Sequence, residues 1–291
     1  MKAIIIVNQF NEHNEHKIKR FFEESKSLDL ELEVVVNDGT IAKIVNGNID
    51  CHLQCDFIIY LDKDYYLARM LEKAGYTVFP DSHFLKICDD KMLTFVECSQ
   101  ASIRMPKTIS SPLVFGNVLR EENYQFLEKV VKELSFPLIM KRVYGSLGKG
   151  VYLIKDYETL KKRYSKYFME PLLFQEYIET SFGKSIRVLV IDGKIFGAFE
   201  RYNNGDFRSN YGNKASGKKI ELSEKYRLFA EKIIKLLDIH YAGIDLLYGP
   251  NDEPVLCEIN SNAFFHEFEK VTRKNAARAY LEMVLKLYEQ K

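Results

Sequence analysis

The chain has 291 residues, enough for two domains, and 46% of them are hydrophobic and 29% charged, as in ordinary globular proteins. The formal net charge of +1 argues against a general affinity for nucleic acid or an anionic membrane surface, and no apolar run approaches the ~18 residues of a membrane span. Five cysteines without a CxxC pair do not form a disulfide framework and favour a reducing, cytoplasmic location.

The first third of the chain alternates short apolar runs with amphipathic stretches, which predict strands and helices respectively. Strands are predicted at 2–8, 30–37, 56–61 and 77–79, and helices at 12–27 and 64–73. This alternation predicts a small open α/β domain with a parallel sheet. The first apolar run is too short for a signal peptide and is read as a strand. No GxGxxG follows that strand, so the domain is not predicted to bind a dinucleotide.

The middle of the chain predicts a second α/β unit with a glycine-rich loop. Helices are predicted at 91–100, capped by Asp89 or Asp90, at 123–134 and at 156–168, and strands at 136–141, 151–154 and 172–178. Between two of these strands, the backbone N–H groups of the loop Gly145–Gly150 (GSLGKG) can approach an anion. No helix follows the loop, so it is not a GxxxxGK[ST] phosphate loop, and a plain glycine hairpin is the alternative.

The last part predicts two hairpins and two helices. Strands at 185–190 and 194–200 surround the turn Asp192–Gly193. Arg187 alternates with apolar neighbours and faces away from the core, where a solvated pairing with Glu200 is the alternative to a functional role. A polar, glycine-rich segment covers 203–217, and Ser223 is a predicted cap of a helix over 223–237. The apolar face of the helix predicted at 267–289 serves either the core or a partner in a homo-oligomer.

A terminal hairpin, GIDLLYGPNDEPVLCEIN, carries the strongest chemical signal. A regular register centred on Asn251–Asp252 pairs Tyr248 with Val255 and Asp245 with Glu258. Residues two apart share a face, so Asn260 joins Glu258 while Ile259 points into the core. Opposed carboxylates repel each other unless a cation neutralises them, and hard oxygen ligands of this kind suit Mg²⁺. A surface hairpin with two solvated acids is the alternative.

Six motifs in order, FPLIMKRVYGSLGKGV, QEYI, SIRVLVIDGKIFGAFER, GDFRSN, AGIDLL and CEINSN, resemble those of the RimK-type ligases of the ATP-grasp superfamily. The resemblance covers roughly the last two thirds of the chain. It implies an α/β (α+β) ATP-grasp fold with an N-terminal open parallel α/β pre-ATP-grasp domain. The implied domains are residues 1–85, a central subdomain with the glycine lid at 86–170, and a C-terminal subdomain with the metal site at 171–291.

The resemblance also implies roles for individual residues. Lys141 matches the lysine that contacts the α- and β-phosphates, and Lys91 matches an earlier lysine at the nucleotide site. Glu176 and Tyr177 match the hinge pair whose backbone reads adenine. The other nucleotide-binding residues that it implies are Gly145, Ser146, Gly148, Gly150, Ser185, Arg208, Ser209 and Asn210. The implied metal ligands are Asp245, Glu258 and Asn260, and the implied arginines of the reaction centre are Arg187 and Arg201. Ser185 departs from the family, because many relatives have a ribose-binding acid there.

The sequence therefore predicts an ATP-dependent and Mg²⁺-dependent ligase, with Mn²⁺ as an alternative metal, that forms an amide through an acyl phosphate. The resemblance implies addition of an amino acid to a peptide or protein carboxylate. The alternatives are a small-molecule ligase of the LysX or glutathione-synthetase type and an ATP-binding module without catalysis. The segment Ala263–Phe265 replaces a proline–glycine turn of some relatives and is predicted to border the acceptor site.

Overall fold

The computed structural model describes residues 1–210 and 216–291. The N-terminal part is built on a parallel sheet with the strand order β2-β1-β5-β6, as predicted. Its elements are β1 Lys2–Val7, α1 Glu12–Ser25, β2 Glu31–Val36, β3 Lys43–Val45, β4 Asn48–Asp50, β5 Phe57–Tyr60, α2 Tyr65–Lys73 and β6 Thr77–Phe79. Strand β5 is buried throughout, as is typical of central parallel strands. The small hairpin β3–β4 was not predicted, because its residues are largely exposed and show no clear alternation.

The middle part is an antiparallel sheet with the order β7-β10-β8-β9, covered by helices. Its elements are α3 Ser82–Asp89, α4 Lys91–Glu97, β7 Thr108–Ser110, α5 Glu121–Leu134, β8 Leu138–Arg142, β9 Val151–Ile154, α6 Tyr157–Tyr167 and β10 Leu172–Glu176. Asp90 caps α4 by accepting a hydrogen bond from the Leu93 N–H. Strand β10 lies beyond the predicted domain limit at residue 170 but pairs within this sheet.

The C-terminal part is a second antiparallel sheet, with the order β13-β12-β11-β14-β15. Its elements are β11 Lys184–Ile191, β12 Lys194–Tyr202, β13 Ser216–Lys219, α7 Glu224–Leu236, β14 Tyr241–Tyr248, β15 Pro254–Asn260, α8 His266–Thr272 and α9 Ala276–Glu289, with 3₁₀ turns at Glu179–Ser181 and Pro250–Asp252. The polar segment predicted at 203–217 includes residues 211–215, which lie outside the described residues.

Two helix predictions need correction. The single terminal helix is wrong, because Arg273 adopts a left-handed conformation (φ 63°) that ends α8, and Asn275 caps α9 by accepting a hydrogen bond from the Arg278 N–H. Ser223 does precede α7, but its side chain makes no capping hydrogen bond within the described part of the chain. The helices of residues 1–210 and 216–291 include none that is long and apolar enough to cross a membrane.

The terminal hairpin reaches the predicted pairing of Asp245 with Glu258 by a different register. Tyr248 pairs with Pro254, so the predicted pairing with Val255 is wrong. A bulge between Asp245 and Leu246 leaves Cys257 as an extra residue on β15, and this shift restores the predicted register at the two carboxylates. Ile259 is fully buried, as predicted.

The N-terminal and C-terminal parts share one hydrophobic core. Phe21 of α1 stacks on Tyr280 of α9 with ring centroids 5.0 Å apart, and Phe265 packs against the same ring of Phe21. This contact places α1 and the loop after β1 beside the segment that joins β15 to α8. A cavity between the two parts is the consequence.

Candidate active site

A cleft between the middle and C-terminal sheets collects the residues predicted to bind nucleotide. The predicted residues that line it are Lys91, Lys141, Gly145, Ser146, Gly148, Glu176, Tyr177, Ser185, Arg208, Ser209 and Asn210. Gly150 lies instead against the side chain of Arg142: its φ of +78° favours glycine, and a Cβ built there would lie 2.8 Å from Arg142 Cδ. The structure brings this set together, while their individual roles stay predictions.

Apolar walls of the cleft were missed in the sequence. Ile139 on β8 lines the cleft two residues before Lys141, and Leu247 on β14 lines it two residues after Asp245. Residues two apart on a strand share a face. A spacing of two residues from Lys141 and from Asp245 could therefore have identified Ile139 and Leu247.

The glycine loop is held over the cleft by two cationic side chains. Arg208 donates from Nη1 to the carbonyl oxygens of Gly148 at 3.0 Å and Val151 at 3.3 Å. The buried Lys91 donates from Nζ to the carbonyl of Gly145 at 2.7 Å. The cleft beneath has a volume of about 120 Å³, well below the 300–1,000 Å³ typical of ligand pockets. We therefore expect the loop to move when a ligand of nucleotide size binds.

The predicted hinge follows β10 on the opposite wall. The N–H of Glu176 donates to the carbonyl of Lys107 at 3.0 Å, so this donor is not available to a base. The neighbouring Gln175, which the sequence analysis did not single out, is buried and donates from Nε2 to Thr108 Oγ1 at 2.8 Å. Across the cleft, the hydroxyls of Ser185 and Ser209 are hydrogen-bonded at 2.6 Å, which joins two segments that the sequence separates by more than twenty residues.

An ion-pair cluster lies on the C-terminal sheet beside the cleft. Arg187 binds both carboxylate oxygens of Asp245, with Nη2 at 2.7 Å from Oδ2 and Nε in contact with Oδ1. Nη1 of Arg201 contacts the same two oxygens at 3.2 and 3.3 Å. The alternative of a solvated Arg187–Glu200 pair is wrong, because Arg187 is 6% exposed and Glu200 accepts a hydrogen bond from the Tyr248 hydroxyl instead. Asp245, at 5% exposed, is likewise no solvated surface acid.

Burial and charge set the protonation of this cluster. Burial opposes ionisation of Asp245, but the guanidinium groups of Arg187 and Arg201 hold its pKa below the usual value. Burial, together with repulsion from Arg187, lowers the pKa of Arg201 to about 10. Burial lowers the pKa of Lys91 too, against the attraction of Glu258, whose carboxylate is 3.7 Å away. Asp245 and Arg201 are therefore charged at neutral pH.

The donor set of the predicted metal site fits Mg²⁺. Asp245 and Glu258 are direct cross-strand partners, and Asn260 follows on the same face. Two carboxylates and an amide are hard oxygen donors, which suit Mg²⁺ when phosphate oxygens complete the shell. The described residues hold no group of three or more His, Cys, Asp or Glu side chains able to bind a metal by themselves. Both oxygens of Asp245 already accept from arginines, so a metal would have to displace part of that contact.

A second cavity of about 520 Å³ opens on the other side of the ion-pair cluster. Its lining includes polar residues of the loop after β1 and of α1, namely Asn8, Gln9, Asn11, Asn14 and Lys17. Opposite these lie Arg187, Arg201, Glu258, Asn260 and Glu267. Ala263 and Phe264, from the segment predicted to border the acceptor, also line it, whereas Phe265 is buried in the core. Lys17 and Glu267 were not singled out in the sequence, because only tertiary packing brings α1 and α8 to one cavity.

Comparison with known proteins gives a consistent result. A family model described as the RimK-like ATP-grasp domain matches residues 88–284. The uncharacterized protein MG012 homolog of Mycoplasma pneumoniae is 33% identical over 76% of this chain and 77% of its own length. Human beta-citrylglutamate synthase B is 27% identical over 86% of this chain and 67% of its own length, and human N-acetylaspartylglutamate synthase A is 30% identical over 83% and 64%.

Solved structures confirm the predicted fold. A RimK domain ATP-grasp protein from Sphaerobacter thermophilus covers 98% of this chain and 100% of its own with a TM-score of 0.72 at 15% identity. D-alanine–D-alanine ligase from Bacillus anthracis, solved in complex with ATP, covers 100% of this chain and 99% of its own with a TM-score of 0.73 at 16% identity. At this level of identity the likeness concerns the fold alone.

Proposed function

The chain belongs to the RimK-like ATP-grasp family and is an ATP-dependent C–N ligase, and within that class we propose that it joins the amino group of glutamate to a small carboxylate acceptor. ATP would phosphorylate the acceptor carboxylate to an acyl phosphate. The amino nitrogen then bonds to the acyl carbon and loses a proton, while phosphate leaves with the electron pair of the broken C–O bond.

One observation carries the proposal: excess positive charge where the cleft and the second cavity meet. Lys91, Lys141, Arg187 and Arg201 lie there beside Asp245 and Glu258, and the two linings together hold nine Lys and Arg side chains against five Asp and Glu side chains. Phosphoryl transfer is catalysed mainly by positioning and by neutralising negative charge. This surplus of positive charge suits a polyphosphate in the cleft and a carboxylate in the cavity. Arg187 is anchored on Asp245, whereas the more weakly held Arg201 is better placed to contact the acceptor.

We assign the nucleotide to the cleft and the metal to its inner edge. Lys91 and Lys141 would contact phosphates beneath the glycine loop, Tyr177 would present its backbone to the base, and the Ser185–Ser209 pair would face the ribose. Asp245, Glu258 and Asn260 would hold Mg²⁺, which supplies further neutralisation of phosphate charge. Mn²⁺ prefers the same oxygen donors and stays the predicted alternative.

The choice of substrates rests on the relatives and on the cavity. Two of the similar proteins are named for products that contain glutamate, joined to citrate or to N-acetylaspartate. A cavity of about 520 Å³ is of the size that small ligands occupy. The peptide or protein acceptor implied by the sequence resemblance, the LysX-type and glutathione-synthetase-type variants, the cytoplasmic location and the homo-oligomer stay predictions.

The test is ADP release from Mg·ATP with acceptors of graded size, each with and without glutamate. Citrate, N-acetylaspartate and a peptide ending in glutamate form the acceptor panel, with alanine, lysine and glutamine as competing amines. We expect ADP release that needs both glutamate and a small acceptor. Dependence on another amine would overturn the glutamate assignment, and dependence on the peptide would overturn the small acceptor. ATP binding without ADP release under any combination would favour the non-catalytic module.

A further inference from the structure

Glu267, in the first turn of α8, is an acid of the second cavity without a partner in the described part of the chain. Three acids line this cavity. Asp89 is paired with Lys63 at 2.5 Å, and Glu258 lies 3.7 Å from Lys91. Glu267 is half-buried, and neither an ion pair nor a hydrogen bond engages its carboxylate within residues 1–210 and 216–291.

Its carboxylate lies close to a glycine on the neighbouring edge strand. A Cβ placed on Gly217 of β13 would come within 2.9 Å of Glu267 Oε1. Gly217 is also the direct cross-strand neighbour of Arg201 on β12. Glu267 is close enough to Arg201 for its charge to favour the protonated guanidinium. The free carboxylate therefore lies beside the arginine of the reaction centre, on the cavity side.

We infer that Glu267 binds the ammonium group of the amine substrate and holds it beside the activated carbon, which the nitrogen attacks once the ammonium has released a proton to solvent. This rests on the proposed function, because it assumes an acyl phosphate held near Arg187 and Arg201. An amino acid enters with a positively charged amino group, which the surplus of cations at the reaction centre repels. A carboxylate at the edge of this cluster of cations offsets the repulsion and gives the amino group a place to bind. If Glu267 were a surface acid without this role, replacing it would not change the kinetics with the amine substrate.

Hydroxylamine separates this role from the formation of the acyl phosphate. It is largely uncharged at neutral pH and attacks acyl phosphates to give hydroxamates, so it needs no carboxylate to accept an ammonium group. Wild type and Glu267→Gln are compared in two reactions with the same acceptor: amide formation with the amino acid, and hydroxamate formation with hydroxylamine. Glu221→Gln, an exposed position away from the cavity, is the matched control.

We expect Glu267→Gln to lower kcat/KM for the amino acid by about tenfold to a hundredfold, mainly through KM, because a neutral amide holds an ammonium group more weakly than a carboxylate does. Its hydroxamate formation and its affinity for ADP should stay within about threefold of wild type. Unchanged kinetics with the amino acid would overturn the inference, and so would an equal loss in both reactions. If wild type forms no hydroxamate with any acceptor, the acyl phosphate of the proposed function fails instead.

Discussion

Arg201 contacts both carboxylate oxygens of Asp245, at 3.2 and 3.3 Å, although Arg187 already binds the same two oxygens. The carboxylate thus accepts from two guanidinium groups at once, and its lone pairs are largely used. Arg201 is the weaker of the two partners, because its contacts are longer and its side chain is 18% exposed against 7% for Arg187. A cation arriving at Asp245 would displace Arg201 first.

The first prediction is that Arg201→Met strengthens metal binding while it impairs catalysis. Removing the competing guanidinium frees lone pairs of Asp245, so the Mg²⁺ concentration at half-saturation, measured by calorimetry with saturating ADP, should fall by about tenfold, or about 1.4 kcal/mol. Turnover should drop because the acceptor loses its cation. Arg227→Met, which removes an exposed helix pair, is the control. A higher half-saturation concentration in Arg201→Met would show that the arginine supports the metal.

The second prediction separates the two acids of the candidate metal site by stability. Asp245→Asn leaves the buried guanidinium of Arg187 and the partly buried one of Arg201 without their counter-charge, so the free energy of unfolding should fall by about 3 to 5 kcal/mol. Glu258→Gln should cost less than about 1 kcal/mol, because this side chain is 24% exposed and its ion pair with Lys91 is long, at 3.7 Å. Both should lose most turnover. Urea denaturation measures the difference, and equal stability losses would contradict the buried cluster.

The pairing of Asp245 with Glu258 could be predicted because the two strands that carry them are consecutive in the chain. That Asp245 and Glu258 face each other follows from the regular pairing of residues along a hairpin. The predicted register was wrong at the turn, but the bulge at Cys257 restores it at the two carboxylates. The partner of Arg187 was not predictable in this way, since it depends on β11 pairing with β14 rather than on its own hairpin. Lys17 and Glu267 were missed for a related reason: they meet one cavity only after α1 and α8 pack together.

The third prediction concerns the glycine loop. Arg208→Met removes the donors to the carbonyls of Gly148 and Val151, so the loop should open more often. Hydrogen exchange of the backbone amides at 145–150 should accelerate by about tenfold, as expected for the loss of hydrogen bonds worth about 1 kcal/mol each. Arg69→Met, which removes an exposed helix pair, is the control. Unchanged exchange would mean that Lys91 alone holds the loop.

The fourth prediction is a pH dependence of stability that comes from Lys17. Burial lowers the pKa of this lysine to about 7, and its Nζ lies among the rings of Phe21, Tyr241, Phe265 and Tyr280, in a setting without a carboxylate partner in the described residues. Between about pH 7 and ~10.4, the pKa of a lysine in an unfolded chain, the unfolded chain holds a proton on Lys17 that the folded chain has lost. The free energy of unfolding therefore rises with pH in this window by up to about 1.4 kcal/mol per pH unit.

Lys17→Met keeps an unbranched side chain among the four rings but removes the charge, so it should be more stable than wild type below pH 7. The penalty for burying the charged lysine is complete there, and it fades as pH rises because the folded chain then holds the neutral amine. Urea denaturation of both proteins at pH 6.5, 7.5 and 9 measures this convergence. A constant difference across these pH values would show that Lys17 stays protonated, held by the carbonyl of Ala263 and the four rings.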